Sequence, residues 1–250
     1  GCHGVVRVLL EKVPAHPEWA ERLARNAIER WPTRLSIRHG GPDPSCWGTR
    51  LAVEAETGSS DEVFCQTISA PTALVIFGAG DDALPLVRLA KDLGWHVTVA
   101  DPRTAFATTP RFPRADACLI APADKLVGVA GPGADALAVV MTHHYVHDVP
   151  IMRDLLGRPL RYLGLLGPRK RAEKILADLA AAGTVVSENQ RKGLRAPVGL
   201  DLGADSPDEV ALAIMAAANR TGRRLLALGT GGCWGWRGRI GKTTDASGAR

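Results

Sequence analysis

The run Gly78-Ala79-Gly80-Asp81-Asp82-Ala83 follows five apolar residues and precedes an amphipathic stretch. Its spacing, G-x-G-x-x-A, is that of a dinucleotide-binding turn. Gly78 permits the tight bend, Gly80 lets backbone N–H groups approach a phosphate, and Ala83 lets the helix pack close to its strand. A helix N-terminus carries about half a positive charge, so an anion is welcome there. Asp101 lies about twenty residues on, where an acidic side chain holds ribose hydroxyls in such sites. Arg103, two residues later, offers instead a cation for a phosphate or another anionic group. Asp81 and Asp82 bring negative charge to the same turn, which works against a plain NAD(P) site. A turn shaped by glycines without any ligand therefore stays open beside a nucleotide-like ligand that Asp82 would also line.

Two further clusters carry chemistry. Thr142-His143-His144-Tyr145-Val146-His147-Asp148 closes another apolar run. His143 and His147 are four apart with Asp148 adjacent, which invites a metal reading. The segment must turn before a helix over 148–156, however, so the two imidazoles need not share a face. No protein metal site is assigned; Thr142 and His143 are read as facing a ligand and Asp148 as a helix cap. Gly164-Leu-Leu-Gly167-Pro168-Arg169-Lys170-Arg171 then sets three cations on a helix start, where cations are normally depleted. That local cost points to an anionic partner held at Gly167 and Arg169. Cys2, between Gly1 and His3, is a candidate exposed thiol, whereas Cys118 sits in an apolar strand. No G-x-S-x-G or Ser-His-Asp pattern supports a hydrolase.

The elements that must position these residues alternate regularly from Ala73 onward. Apolar runs at 73–77, 96–100, 117–121, 137–141 and 162–166 read as strands. Helical spacing over 82–93, 148–156, 168–182 and 207–220 separates them, and Ser206-Pro207-Asp208-Glu209 is a full capping box. Strands apolar throughout and separated by helices imply a parallel sheet covered on both faces. The expected fold is an α/β, doubly wound, Rossmann-like domain over 71–228 with strand order 3-2-1-4-5. In that order the three clusters share the carboxyl edge of the sheet. Residues 1–70 read as a small α+β remnant: a strand over 5–10, an amphipathic stretch over 19–30, an exposed strand over 51–56 and a linker over 59–71. Residues 229–250, rich in Gly and Arg, are expected to be a disordered tail.

Composition bounds the partners. With 46% apolar residues, 23% charged, 27 Gly, 17 Pro and 5 Cys in 250 residues, the chain is an ordinary globular one. The charge of +5 is mild and aromatics make up only 5%, thin for a surface that stacks bases, so no nucleic acid is expected. No apolar run approaches the roughly 18 residues of a membrane span, and no signal peptide opens the sequence. Five cysteines without C-x-x-C spacing favour a reducing cytoplasm.

Several of these strings together resemble the XdhC/CoxI family. They are Val75-Ile-Phe-Gly78-Ala-Gly80, Leu93-Gly94-Trp95 through Asp101-Pro102-Arg103, Arg111-Phe112-Pro113 through Asp116, Thr142-His143 through Asp148, Arg161-Tyr162 through Arg169, and Ala196-Pro197 through Gly203. The opening Gly1-Cys2-His3-Gly4 is similar to the second half of that family's N-terminal domain. The resemblance implies a non-catalytic chaperone that binds the molybdenum cofactor, a molybdopterin or its dinucleotide form, while a cysteine desulfurase supplies its terminal sulfur. It also implies delivery to an apo molybdenum hydroxylase of the xanthine dehydrogenase or aldehyde oxidoreductase type, and a homodimer. The metal would arrive chelated by the pterin, with Cys2 joining the binding residues. This chain has Ala216-Ala217-Ala218 where the family carries a Glu. The rival reading is an NAD(P)-dependent oxidoreductase resting on Gly78, Gly80, Ala83 and Asp101.

Overall fold

The computed structural model describes residues 8–53, 60 and 62–222. Cys2, the tail over 229–250 and parts of the expected strands over 5–10 and 51–56 lie outside them.

The apolar run Ala73–Phe77 forms β4, and all five of its residues are buried. Alternation along this strand assigns its two faces. Leu74 and Ile76 join one apolar cluster with Leu86 and Ala90 of α2 (Ala83–Asp92) and Ile214 and Ala218 of α7 (Pro207–Gly222). Val75 and Phe77 join the other, with Leu126 and Val127 of α3 (Ala123–Ala130), Ile151 and Leu155 of α4 (Tyr145–Leu156), and Ile175 of α5 (Arg169–Ala181). A strand buried on both faces has no polar alternation, as the sequence suggested.

The other strands are β5 (His96–Asp101), β6 (Ala117–Ile120), β7 (Leu137–Val140), β8 (Tyr162–Leu165) and β9 (Leu194–Arg195). Their order is β6-β5-β4-β7-β8-β9, and every pairing is parallel. This is the expected 3-2-1-4-5 arrangement extended by one short strand. The sheet reverses its winding between β4 and β7, the place where such folds open a crevice at the carboxyl edge. Ala217 and Ala218, within the alanine run, are buried where α7 packs against α2. The capping box forms as read: the Ser206 Oγ accepts from Glu209 N–H, and the Glu209 carboxylate accepts from Ser206 N–H at 2.9 Å.

Three expectations need correction. The helix expected over 148–156 begins at Tyr145, and Asp148 is not its cap but a buried side chain within its first turn. The linker expected over 59–71 contains β3 (Val63–Ile68), whose first four residues alternate half-buried Val63 and Cys65 with exposed Phe64 and Gln66. β3 pairs antiparallel with β1 (Thr33–Arg38), which pairs on its other side with β2 (Gly48–Leu51). That three-stranded sheet accompanies α1 (Glu18–Glu29), the amphipathic stretch expected over 19–30. Here the sequence signal is faint: Thr33-Arg-Leu-Ser-Ile-Arg38 spans only six residues, and four of them are polar. Two short helices, α3 and α6 (Glu188–Gly193), add to those expected. Among the described residues no helix is long and apolar enough to cross a membrane.

Candidate functional site: four loops at the carboxyl edge

Gly78 ends β4 with φ of 118°, a left-handed conformation that a side chain would strain. A Cβ there would also lie 2.4 Å from the Met141 carbonyl oxygen. The chain therefore needs glycine here for two independent reasons, and the close crossing brings the loops after β4 and β7 together. Gly80 differs. Its φ is not left-handed, and a Cβ would meet only the Asp82 carboxylate, at 2.7 Å. Gly80 thus keeps space open rather than fixing a bend. The N–H groups of Gly80, Asp81 and Asp82 make no hydrogen bond among the described residues, and they stand at the start of α2. Free donors with a favourable helix dipole form a site for an anion.

The carboxylates of Asp81 and Asp82 do not oppose such an anion unscreened. Arg111, from the loop after β5, pairs with Asp81 and reaches the Ala79 carbonyl at 3.3 Å. His143, from the loop after β7, brings its Nε2 to 2.6 Å from the Asp82 Oδ2. Each negative charge of the turn is drawn toward a basic group of a neighbouring loop.

Asp101 turns away from the crevice. Its side chain is fully buried, with Oδ2 accepting from Ala79 N–H at 2.7 Å and Oδ1 from Arg103 N–H at 2.8 Å. The Arg103 guanidinium closes a bidentate pair on the same carboxylate, at 2.9 and 2.7 Å. Burial alone would raise this carboxyl, but the bonds from Arg103 and Ala79 outweigh it and hold its pKa below the ordinary value. The role expected for Asp101, a ribose acceptor, is not available in this geometry because both oxygens are taken. Its carboxylate instead ties the glycine turn to the loop after β5 and raises the pKa of Arg103 through their hydrogen bond. Arg103 lies 3.6 Å over the Phe106 ring, and its side chain keeps 29% exposure at the crevice.

On the other side, the Thr142 hydroxyl accepts from His144 N–H and donates to Asp148. Asp148 in turn receives Nε and the terminal nitrogen of Arg171, at 2.9 and 2.6 Å. This chain of bonds ties the loop after β7 to the start of α5. Gly167, with φ of 131°, turns the chain from β8 into that helix. Of the three cations there, Arg171 points inward. Arg169, the expected ligand residue, is 81% exposed and pairs with Glu173 one turn on, at 3.1 Å. His143 and His147 do not converge: His143 contacts Asp82, while the rings of His144 and His147 lie 5.4 Å apart.

The fold thus brings Gly78, Gly80, Asp82, Arg103, Thr142, His143 and Gly167 to one edge. It sets Asp101 behind them and Arg169 at the rim. Sequence reasoning gave no role to Arg111 or Phe106 and mistook that of Asp148. The signals available for Arg111 were its place in the family-like string Arg111-Phe112-Pro113 and its basic charge in the loop after the second strand. A cavity of about 470 Å³ flanks the turn, bounded by Asp81, Leu84, Arg111, Phe112 and Pro207.

Against this geometry the comparisons are specific. The model of the XdhC Rossmann domain matches residues 74–217, from the first strand of the parallel sheet into its last helix. The chain belongs to the XdhC family. A protein of Bacillus subtilis (strain 168) named as a probable subunit of xanthine dehydrogenase is 35% identical over 163 residues, covering 65% of this chain and 47% of that protein. The uncharacterized protein YqeB of Escherichia coli (strain K12) is 28% identical over 166 residues, 66% of this chain and 30% of its own length. This chain therefore spans half or less of the curated relatives it matches. A crystal structure described as a xanthine dehydrogenase from Bacillus halodurans superposes with a TM-score of 0.69 at 24% identity, covering 84% of this chain and 65% of that one. At that identity the likeness bears on the fold. The XdhC match runs through all four loops described above.

Proposed function

We propose that this chain is an accessory factor of a xanthine-dehydrogenase-type molybdoenzyme, and that it holds the molybdenum cofactor as cargo at the carboxyl edge. The observation that carries the reading is the glycine turn: three N–H groups without partners among the described residues, beside two carboxylates already engaged by Arg111 and His143. A pterin bearing a phosphate, or extended to a dinucleotide, is an anion of the kind this turn suits. Its phosphate would be held by the N–H groups of Gly80–Asp82, with Arg103 and Arg111 beside it and Thr142 and Asp148 keeping the adjoining loop in place. The cargo brings its own metal already chelated, so the protein's task is to bind, orient and shield it.

In this reading a cysteine desulfurase adds the terminal sulfur while the cofactor is bound. An apo molybdenum hydroxylase of the xanthine dehydrogenase or aldehyde oxidoreductase type then receives it. The carrier works as a homodimer in the cytoplasm, and Cys2 adds a thiol to the site. The Bacillus subtilis relative, named for xanthine dehydrogenase, supports the choice of client. A nicotinamide cofactor is the weaker candidate, because the enclosed Asp101 has no oxygen left for a ribose. Anaerobic titration with isolated molybdenum cofactor tests the reading. Near-stoichiometric binding to the folded protein, lost in Gly80→Asp, is the expected result. No binding at micromolar concentration, or stronger binding of reduced nicotinamide cofactor, would overturn it.

A further inference from the structure

The opposite edge of the sheet holds a second concavity that the cofactor reading does not use. α4 ends at Leu156 and β8 starts at Tyr162, so Arg158 and Arg161 lie at the amino end of β8, across the sheet from the glycine turn. With Arg195 of β9 they border a cavity of about 310 Å³. That volume is at the lower end of the roughly 300–1,000 Å³ typical of small-molecule sites. Leu155, Leu160 and Leu194 give it apolar walls, and among the described residues no Asp or Glu lines it.

Three guanidiniums around one concavity repel one another, and the half-burial of Arg158 and Arg161 makes this costlier, while Arg195 is exposed. Burial lowers the pKa of Arg161, and the charge of Asp135, which does not line the cavity, acts in the opposite direction. The nearby acid Glu188 is drawn to Lys192, at 3.5 Å. The walls are held in advance. The Gln190 side chain donates to the Leu156 carbonyl at 2.6 Å, tying α6 to the end of α4, and Arg158 donates to the Pro132 carbonyl at 3.2 Å.

We propose that this cavity is a second binding site, for an organic anion with a compact apolar body. A carboxylate or phosphate-monoester head would meet the guanidiniums of Arg158, Arg161 and Arg195, and the body would lie on the leucines. The site is independent of the glycine turn and does not rest on the cofactor reading.

Titration of the full chain with 1-naphthoate, 1-naphthyl phosphate and uncharged 1-naphthalenemethanol tests it by fluorescence and calorimetry. The two anions should bind saturably, the alcohol at least about ten-fold more weakly, and Arg195→Glu should weaken both anions by about ten-fold or more. Their relative affinities distinguish the carboxylate from the phosphate head. Gly80→Asp should leave this binding unchanged. Should Arg195→Glu fail to fold, Arg195→Gln replaces it, with a smaller loss in the same direction. Absence of saturable anion binding, equal affinity for the alcohol, unaltered binding in the Arg195 variant, or loss in Gly80→Asp would each overturn the proposal.

Discussion

The Nε2 of His143 sits 2.6 Å from the Asp82 Oδ2, joining the loop after β7 to the glycine turn through two side chains 61 residues apart. The His143 backbone is left-handed, with φ of 62°, so its loop places the imidazole there against the usual preference of a residue with a Cβ. In the cofactor reading this contact screens one of the two carboxylates that face the incoming anion.

His143→Ala should therefore weaken binding of the molybdenum cofactor several-fold while changing unfolding free energy by no more than about 0.5 kcal/mol, since the ring is mostly exposed. Parallel titration and urea denaturation check the two halves. Binding equal to wild type would remove the screening role.

The two glycines of the turn should separate stability from binding. Gly78→Ala should cost about 2–4 kcal/mol, because its Cβ meets the Met141 backbone and its φ is left-handed. Gly80→Ala should cost less than about 1 kcal/mol yet reduce cofactor affinity about ten-fold. Thermal unfolding of both variants, with titration of the second, distinguishes the roles.

Asp101 makes stability depend on acid. Its pKa in the folded chain lies below that of the unfolded chain, so its contribution is complete above about pH 3.9 and is given up as pH falls toward the lower folded value. Asp101→Asn should destabilise the protein at neutral pH by on the order of 3 kcal/mol, leaving Arg103 without its buried partner. The gap between variant and wild type should narrow in acid. A gap constant from pH 7 to 3 would contradict this account.

Arg171 and Arg169 should behave oppositely despite standing two residues apart. Arg171→Ala strands the buried Asp148 carboxylate and should cost about 3–5 kcal/mol. Arg169→Ala removes an exposed pair and should change stability by less than about 0.5 kcal/mol. Any loss of cofactor affinity in Arg169→Ala should be larger at low salt than at high salt. Denaturation curves and titrations at two ionic strengths read all three effects.

The doubly wound sheet was legible because its strands are apolar throughout and its turns carry glycine at fixed places. Gly78 and Gly80 could be assigned to one turn from spacing alone. That only Gly78 is conformationally required could not, since this depends on how closely Met141 passes. Likewise, Asp101 and Arg103 looked like alternative ligands when read in line. In space they neutralise each other, and a two-residue separation gives no hint of which side chain turns inward. Asp148 resembled a helix cap because Asp favours that position, and only tertiary burial beside Arg171 overrides the preference. The small antiparallel sheet was harder to see, since β2 and β3 are short and mix polar with apolar residues.

Strand β4 spends both its sides, with Leu74 and Ile76 toward α2 and Val75 and Phe77 toward α3 and α4. One codon added or lost between 73 and 77 would exchange these inventories and push the bend at 78 out of step with Met141. Natural variation can reshuffle aliphatic bulk along this segment, but its length is locked like the tooth count of a gear.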